Sequence, residues 1–251
     1  MAFAGPQEAV LLHWVDRSAE PTWVARAAAA LKDVHYSEIR DIGIVDDAGL
    51  VIVSEREKSP SGFRFDRYEA YSVDFSSSAA QIIWAGGYSF QLRDEGFFEA
   101  APLPDLVFTF QDCMECKPTT LATAFHYDRT KRQWRTRTWR SGDRELPGAM
   151  IDSADVPDGW HAAFVYSVQD FDGDGWDEIA VWLRETNVKT SETADQIWLY
   201  TVKEGAGKVV NIHDPLRRME IKEQLCTTFA TIHGETDPGV CAEVRQALHR
   251  R

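Results

Sequence analysis

Residues 165–183 read VYSVQDFDGDGWDEIAVWL, two apolar segments separated by an acidic, glycine-rich loop. The segments 162–168 and 179–183 are rich in β-branched and aromatic residues, which favour strands. Aspartate and glycine between them are typical of a tight turn. The stretch therefore predicts a strand–loop–strand unit, and a similar pattern recurs on both sides of it along the chain.

Four further strand–turn–strand units are predicted, with turns centred near residues 47, 77, 130 and 206. The flanking segments are residues 39–45 and 50–54, 67–75 and 81–85, 119–127 and 133–139, and 196–202 and 208–212. Consecutive hairpins that cover one another's apolar faces build propellers and stacks of antiparallel sheets. We therefore expect a mainly β fold, either a small propeller-like structure or stacked antiparallel hairpins.

The chain is long enough for one domain of this kind. Residues 1–36 form a lead-in, residues 37–213 form the hairpin-rich body that contains the loop 170–178, and residues 214–251 form a C-terminal extension. Within 1–251 we expect this single domain to carry two minor helices.

Both expected helices lie near the ends of the chain. Pro21 precedes the alanine-rich segment 23–31, which predicts a short helix that begins with proline in its first turn. A C-terminal helix is predicted from the spacing of Val240, Val244 and Leu248 after Asp237-Pro238-Gly239.

The overall charge is acidic, with 27 Lys+Arg against 40 Asp+Glu and a net charge of −13. Binding to phosphate backbones needs an excess of basic residues, so this balance disfavours a dedicated nucleic-acid binder. It favours cations or basic proteins as partners. The most apolar stretch, 24–31, already contains Arg26 and is far shorter than the roughly 20 residues of a membrane span, so no transmembrane segment is expected.

The acidic loop offers carboxylates at alternating positions. Asp170, Asp172 and Asp174 occupy positions 1, 3 and 5, and Gly175 at position 6 permits a tight wrap. A hard cation such as Ca²⁺ takes about six to eight oxygen ligands, which alternating acids in an irregular loop supply. The predicted ligands are the side chains of Asp170, Asp172, Asp174 and Glu178 and the backbone oxygen of Trp176.

The loop differs from an EF-hand. An EF-hand loop has glutamate at position 12, which is Val181 here, and then continues into a helix. Residues 179–183 favour a strand, so we expect a strand–loop–strand calcium site. Asp177, at position 8, is expected to point outward as a solvated or supporting charge.

These residues resemble the FG-GAP or VCBS type of calcium-binding repeat found in integrin-like β-propellers. The resemblance covers residues 165–183, and the other predicted hairpins lack the acids. It implies a propeller-like fold and a calcium role for Asp170, Asp172, Asp174 and Glu178. The ion of such repeats usually stiffens a blade, and a regulatory or ligand-bridging ion is the alternative.

Four cysteines fall into two local sets, Cys113 with Cys116 and Cys226 with Cys241. We interpret them as two disulfides, which implies an oxidising compartment outside the cytoplasm. For Cys113 and Cys116, redox chemistry and metal binding are the alternatives, although Pro118 disfavours the helix that a redox pair needs.

The predicted location is therefore periplasmic or secreted. Residues 1–5, MAFAG, resemble the end of a signal peptide after removal of its apolar region. A lipid anchor in the precursor, as in an outer-membrane lipoprotein, is compatible with this location.

A basic stretch lies between residues 129 and 140. It contains Arg129, Lys131, Arg132, Arg135, Arg137 and Arg140, interleaved with Trp134 and Trp139. Strand alternation would place the two tryptophans on opposite faces and leave the basic side chains on a solvated hairpin face, with phosphate or partner binding as the alternative. Trp160, Phe97 and Phe98 are candidates for exposed aromatic anchors at an interface.

No catalytic residues are predicted, because the sequence contains neither a His-x-x-x-His pair nor a Gly-x-Ser-x-Gly elbow. The first hypothesis is a non-enzymatic, extracytoplasmic, calcium-binding protein-interaction module. In size, acidity and its single loop the chain looks similar to calcium-binding, propeller-like periplasmic immunity proteins, which implies inhibition of a basic peptidoglycan hydrolase. A carbohydrate- or cell-wall-binding surface module of adhesin type is the second hypothesis, and an enzyme is the third.

Overall fold

The structure, a computed structural model, describes residues 13–14, 21–58, 62, 64–87, 90–99, 103–111, 120–146, 148–150, 160–203, 206–233 and 241. Over these residues the protein is mainly β, with antiparallel sheets, one short helix near the N-terminus and one longer helix near the C-terminus. The predicted fold class is confirmed in its stacked-hairpin form, and the sheets do not close into a barrel over the described residues.

The first sheet contains the strands nearest the N-terminus. Its elements are β1 (His13–Trp14), α1 (Pro21–Ala30), β2 (Glu38–Val45), β3 (Ala48–Lys58), β4 (Arg64–Asp74) and β5 (Ala79–Gly87). The strands lie in sequence order, each antiparallel to the next. Asp46 (φ 53°) and Ser78 (φ 55°) take left-handed conformations in the two tight turns, a conformation that short polar residues tolerate better than most.

The second sheet follows. Its strands are β6 (Phe90–Gly96), β7 (Asp105–Gln111), β8 (Thr120–Asp128) and β9 (Gln133–Thr136), again a meander of antiparallel neighbours. The chain then forms β10 (Trp139–Ser141) and β11 (Arg144–Leu146), which belong to the third sheet, and returns as β12 (Ala149–Met150), which pairs with Leu121 and Ala122 of β8.

The third sheet contains the acidic loop. Its meander consists of β13 (Trp160–Gln169), β14 (Glu178–Asn187), β15 (Thr193–Lys203) and β16 (Ala206–Asn211), and β10 adds to β16 in parallel. Helix α2 (Pro215–His233) follows and packs on β13 and β14. Asp214 begins the helix, because its Oδ1 accepts a hydrogen bond of 2.8 Å from the Arg217 N–H.

The layers stack in chain order, from α1 through the three sheets to α2. One core cluster joins Leu50 and Ile52 of the first sheet to Phe108 and Trp134 of the second. Another cluster joins the second sheet to Ile179 and Val181 of the third. Two outer clusters pack α1 against the first sheet and α2 against the third. Each of the three sheets is therefore covered on both faces over much of its area.

Burial on both faces of the sheets explains the uninterrupted apolar runs in β3 and β14. In β14, Ile179 and Val181 face the second sheet, whereas Ala180 and Trp182 face α2. In β3, residues 50–53 are likewise divided between two core clusters. A strand that is buried on both faces needs apolar residues at every position rather than at alternate ones.

All five predicted hairpins are confirmed by strand pairing. The predicted N-terminal helix is also confirmed. A helix in the C-terminal part of the chain is also confirmed as α2, Pro215–His233, a segment without a specific prediction of its own. Of the segment predicted to be helical, 240–248, only Cys241 lies within the described residues, where it is helical. Neither the pairing of β6 with β7 nor strands β10–β12 followed from the sequence.

Candidate metal centre

The acidic loop connects β13 to β14 at the end of an unbroken antiparallel ladder. The last strand pair before the loop is Gln169 with Glu178, so the strand–loop–strand prediction is confirmed. Gly173 (φ 78°) and Gly175 (φ 92°) both lie in the left-handed region that glycine adopts without strain. These two glycines allow the chain to turn back sharply enough to bring successive aspartates together.

The three aspartates of the loop converge. One carboxylate oxygen from each of Asp170, Asp172 and Asp174 lies within 4.8 Å of the others, and all three residues are exposed. Backbone N–H groups orient these carboxylates: Gly173 and Gly175 donate to Asp170 (2.7 and 3.0 Å), Asp174 to Asp172 (3.1 Å) and Trp176 to Asp174 (3.0 Å). Oxygens that share a Ca²⁺ ion at about 2.3–2.6 Å are separated by distances of this order.

Glu178 differs from the three aspartates because it is buried, with 1% of its surface exposed. Its Oε2 accepts a hydrogen bond of 2.8 Å from the Phe171 N–H. Its Oε1 has no hydrogen-bond partner within the part of the chain that the structure describes. Glu178 is not part of the 4.8 Å cluster, so the structure brings three of the four predicted carboxylates together.

The three aspartates also act on the electrostatics of Glu178. Burial raises the pKa of its carboxyl to about 7, the Phe171 N–H opposes this rise, and the negative charges of the three aspartates add to it. A buried acid with one unsatisfied oxygen is costly unless a proton or a cation compensates it. The donor set, all carboxylate oxygen, fits a hard cation such as Ca²⁺ better than zinc or copper.

The loop is also tied to two other parts of the fold. Asp177 and Phe97 exchange two hydrogen bonds, from the Asp177 N–H to the Phe97 carbonyl (2.7 Å) and from the Phe97 N–H to Asp177 Oδ2 (2.6 Å). Arg217 of α2 donates to the Phe171 carbonyl. The expectation that Asp177 points outward is therefore wrong, because its carboxylate anchors the loop to the segment after β6.

The remaining predicted site residues are only partly described. Cys226 and Cys241 form a disulfide, with their Cα atoms 5.5 Å apart. Cys113 and Cys116 lie outside the described residues, so their three alternatives stay predictions. Trp176 donates its N–H to Asp174, and a metal-ligand role for its carbonyl oxygen also stays a prediction.

The basic stretch does not form one solvated face. Arg137 is buried, donates through Nε and Nη2 to Asp105, and donates through Nη2 to Glu99 at 2.8 Å. Trp134 and Trp139 are both fully buried and belong to different core clusters, Trp134 to the one between the first and second sheets and Trp139 to the one between the second and third sheets. The prediction that they face opposite ways agrees with these positions. Sequence reasoning missed Arg137, since its partner Asp105 is 32 positions away.

The expected aromatic anchors receive little support from the structure. Phe98 is 1% exposed and packs edge-on against Trp139, and Phe97 and Trp160 are half-buried. Among the described residues, the large hydrophobic side chains that are most exposed are aliphatic: Ile82, Val188, Val210 and Leu216. A stacking platform for sugars is therefore not evident in the described part of the chain.

A groove of about 420 Å³ lies beside the acidic loop, between α2 and the end of β13. It is lined by Gln169, Glu220, Glu223, Gln224 and Thr227. The groove thus presents two acids, of which Glu220 is ion-paired with Arg217 at 2.9 Å.

Comparison with known proteins adds no family: no protein-family model matches the chain, and neither a curated protein nor a solved structure matches it. In the described part of the chain, no helix combines the length and the apolar character needed to cross a membrane.

Proposed function

We propose that the protein is a non-enzymatic, calcium-stabilised interaction module that acts outside the cytoplasm and binds a basic protein partner. The observation that carries the proposal is the buried carboxylate of Glu178, whose Oε1 has no partner in the described structure and which lies beside three converging aspartates. A divalent cation at this place would satisfy that oxygen and offset two of the four negative charges.

The position of the loop favours a structural role for the ion. The loop closes the β13–β14 hairpin, bonds to Phe97 after β6 and accepts a hydrogen bond from Arg217 of α2. An ion that fixes the loop would therefore stabilise contacts among the second sheet, the third sheet and the C-terminal helix. A regulatory ion would instead change partner binding without changing stability.

The charge distribution favours a basic partner. The chain carries a net charge of −13, and the groove beside the loop contributes Glu223 and Glu220, the second of which is ion-paired with Arg217. Complementary charge raises association rates and selects partners of opposite sign. A basic peptidoglycan hydrolase is the most concrete partner of this kind, which would make the protein a periplasmic inhibitor or immunity protein.

The disulfide supports the proposed location. The pair Cys226–Cys241 joins α2 to the C-terminal segment, and such bonds persist in oxidising compartments. The periplasm or the exterior of the cell is therefore where we expect the protein to work.

The metal claim is tested by calorimetric titration of calcium into chelator-treated protein, together with melting temperature. We expect one ion per chain and a rise in melting temperature, because a ligand that binds only the folded state stabilises it. Asp172→Asn should abolish both effects. The matched control is Asp143→Asn, which removes an exposed aspartate from the β10–β11 turn and should bind calcium normally.

The partner claim is tested separately by pull-down from a periplasmic extract, with the bound protein identified by mass spectrometry. A stoichiometric, basic wall hydrolase would support the proposal. Glu220→Gln/Glu223→Gln should weaken its capture, whereas Glu185→Gln/Glu192→Gln, which removes the same charge elsewhere, should not. Retention on polysaccharide with no protein partner would contradict the proposal.

A further inference from the structure

A second cleft lies where three hairpin turns meet. The turns are residues 46–47, 75–78 and 129–132, and each contributes to the lining of a cavity of about 380 Å³. This volume is within the range of small-molecule sites, roughly 300–1,000 Å³. No residue of its lining belongs to the acidic loop or to α2. The cleft is therefore separate from the proposed metal centre and from the groove beside α2.

One wall of the cleft is acidic. Asp74 accepts hydrogen bonds from the Ser76 N–H (2.9 Å) and from the Ser76 and Ser77 hydroxyls (2.6 and 2.7 Å). These bonds lower the pKa of Asp74 to about 2, so the carboxylate is ionised at neutral pH. Asp47 adds a second carboxylate, whose Oδ1 lies 3.4 Å from Arg26 Nη2. The serine hydroxyls hold Asp74 in place before any ligand arrives.

The other wall is basic. Lys131 and Arg132 lie in the β8–β9 turn, which is fixed by a hydrogen bond of 3.1 Å from the Lys131 N–H to Asp128 Oδ1. Both side chains belong to exposed residues. Among the described residues, no ion pair within 4.0 Å joins these cations to the acids of the opposite wall. The cleft therefore separates two charged walls that do not neutralise each other directly.

The floor fixes the distance between the walls. Ala48 and Ser72 are 4% and 7% exposed, and their small side chains leave the space above them open. Ser72 Oγ accepts a hydrogen bond of 3.0 Å from the Trp134 N–H, which ties β4 to β9. Thr136 Oγ1 donates to the Ile83 carbonyl at 2.6 Å and ties the same two sheets together. The two walls consequently belong to one rigid framework.

We propose that this cleft binds a small zwitterion of the size of a dipeptide, with its ammonium group toward Asp47 and Asp74 and its carboxylate toward Lys131 and Arg132. A purely anionic ligand would be repelled by the acidic wall, and a purely cationic ligand would be repelled by the basic wall. Only a ligand that carries both charges at opposite ends is attracted by the whole cleft. A polar lining with small floor residues further selects a compact ligand without a large aromatic group.

The test uses the dipeptide Ala-Ala, followed by ¹H–¹⁵N spectra of the protein during titration. Binding should saturate and should shift the amide signals of the three turns. N-acetyl-Ala-Ala lacks the ammonium group and Ala-Ala amide lacks the carboxylate, so each should bind at least about tenfold more weakly, a loss of about 1.4 kcal/mol. Equal affinity for the three compounds, or no saturable shift with Ala-Ala, would overturn the proposal.

Two substitutions test which wall binds each charged end of the ligand. Asp74→Asn should weaken Ala-Ala about as much as acetylation does, and Lys131→Gln should weaken it about as much as amidation does. The controls Asp143→Asn and Lys189→Gln remove the same charges from exposed turns elsewhere and should leave binding unchanged. If Asp74→Asn lowers the melting temperature, Lys131→Gln still decides, because its side chain lies on an exposed turn. Unaltered binding by Lys131→Gln would reject the assignment.

Discussion

Glu178 and Asp105 are two buried carboxylates in matching positions, each the first residue of a central strand. Asp105 begins β7 and is 3% exposed, and Glu178 begins β14 and is 1% exposed. Both oxygens of Asp105 accept hydrogen bonds from Arg137. Glu178 uses one oxygen on the Phe171 N–H, and its other oxygen has no partner in the described structure.

The difference shows two solutions to the same electrostatic problem. A buried carboxylate must be paired, protonated or bound to a metal, because its desolvation otherwise costs roughly several kcal/mol of folding free energy. At Asp105 the chain supplies the opposite charge itself. At Glu178 the chain supplies three more carboxylates instead, so a proton or a cation from solution has to compensate the buried charge, and we propose the cation.

The largest expected effect comes from breaking the internal pair. Arg137→Met leaves Asp105 buried without its guanidinium and should lower the free energy of unfolding by about 3–5 kcal/mol. The loss should be the same with calcium and with chelator, because this acid does not depend on the ion. Urea unfolding under both conditions measures it. Arg140→Met, which removes an exposed ion pair with Glu145, should cost no more than about 1 kcal/mol.

The next largest effect is expected at Glu178, as a change in the stabilisation of the protein by calcium. At a calcium concentration of about 100 times Kd, the ion should stabilise the unmodified protein by about 2.7 kcal/mol. In Glu178→Gln this gain should fall below about 1 kcal/mol at the same concentration, because a neutral amide replaces the carboxylate. In chelator the variant should be at least as stable as the unmodified protein, since it no longer buries an unsatisfied charge. If calcium stabilises Glu178→Gln as much as the unmodified protein, Glu178 is not a ligand of the metal centre.

A third acid, Asp195, should make the stability of the protein depend on pH. Asp195 is desolvated, which alone would raise its pKa, but hydrogen bonds and charges from Arg184 and Lys222 lower the pKa to about 2. Its stabilisation is therefore complete above the ordinary aspartate pKa near 4 and is lost as pH falls toward 2. After allowance for solvent screening, we expect about 1–2 kcal/mol. Asp195→Asn should remove this pH dependence in acid unfolding curves, independently of calcium.

The smallest effect is expected at the anchor between the loop and the second sheet. Asp177→Ala removes the carboxylate that accepts the Phe97 N–H and should cost about 1 kcal/mol. Asp177→Asn keeps an acceptor oxygen and should be nearly neutral. Calorimetry should still detect calcium binding in both variants, because Asp177 is not a predicted ligand. Loss of calcium binding in Asp177→Asn would make it part of the metal centre.

Local patterns predicted much of this fold. Apolar segments rich in β-branched and aromatic residues, separated by polar turns, were sufficient for five hairpins, and the spacing of Asp170, Asp172 and Asp174 was sufficient for their convergence, because both depend on neighbours in sequence. The exposure of Arg137 and the orientation of Asp177 were predicted wrongly, and helix α2 was not predicted. Each depends on a contact with a distant segment, and a single sequence contains no direct record of such contacts.

A crystal structure of the protein grown with calcium would show whether a cation binds Oε1 of Glu178. We expect one ion at about 2.3–2.6 Å from Glu178 Oε1 and from oxygens of Asp170, Asp172 and Asp174. An ion bound by the aspartates alone, with Glu178 Oε1 still without a partner, would contradict this expectation. So would a loop that binds no ion at saturating calcium.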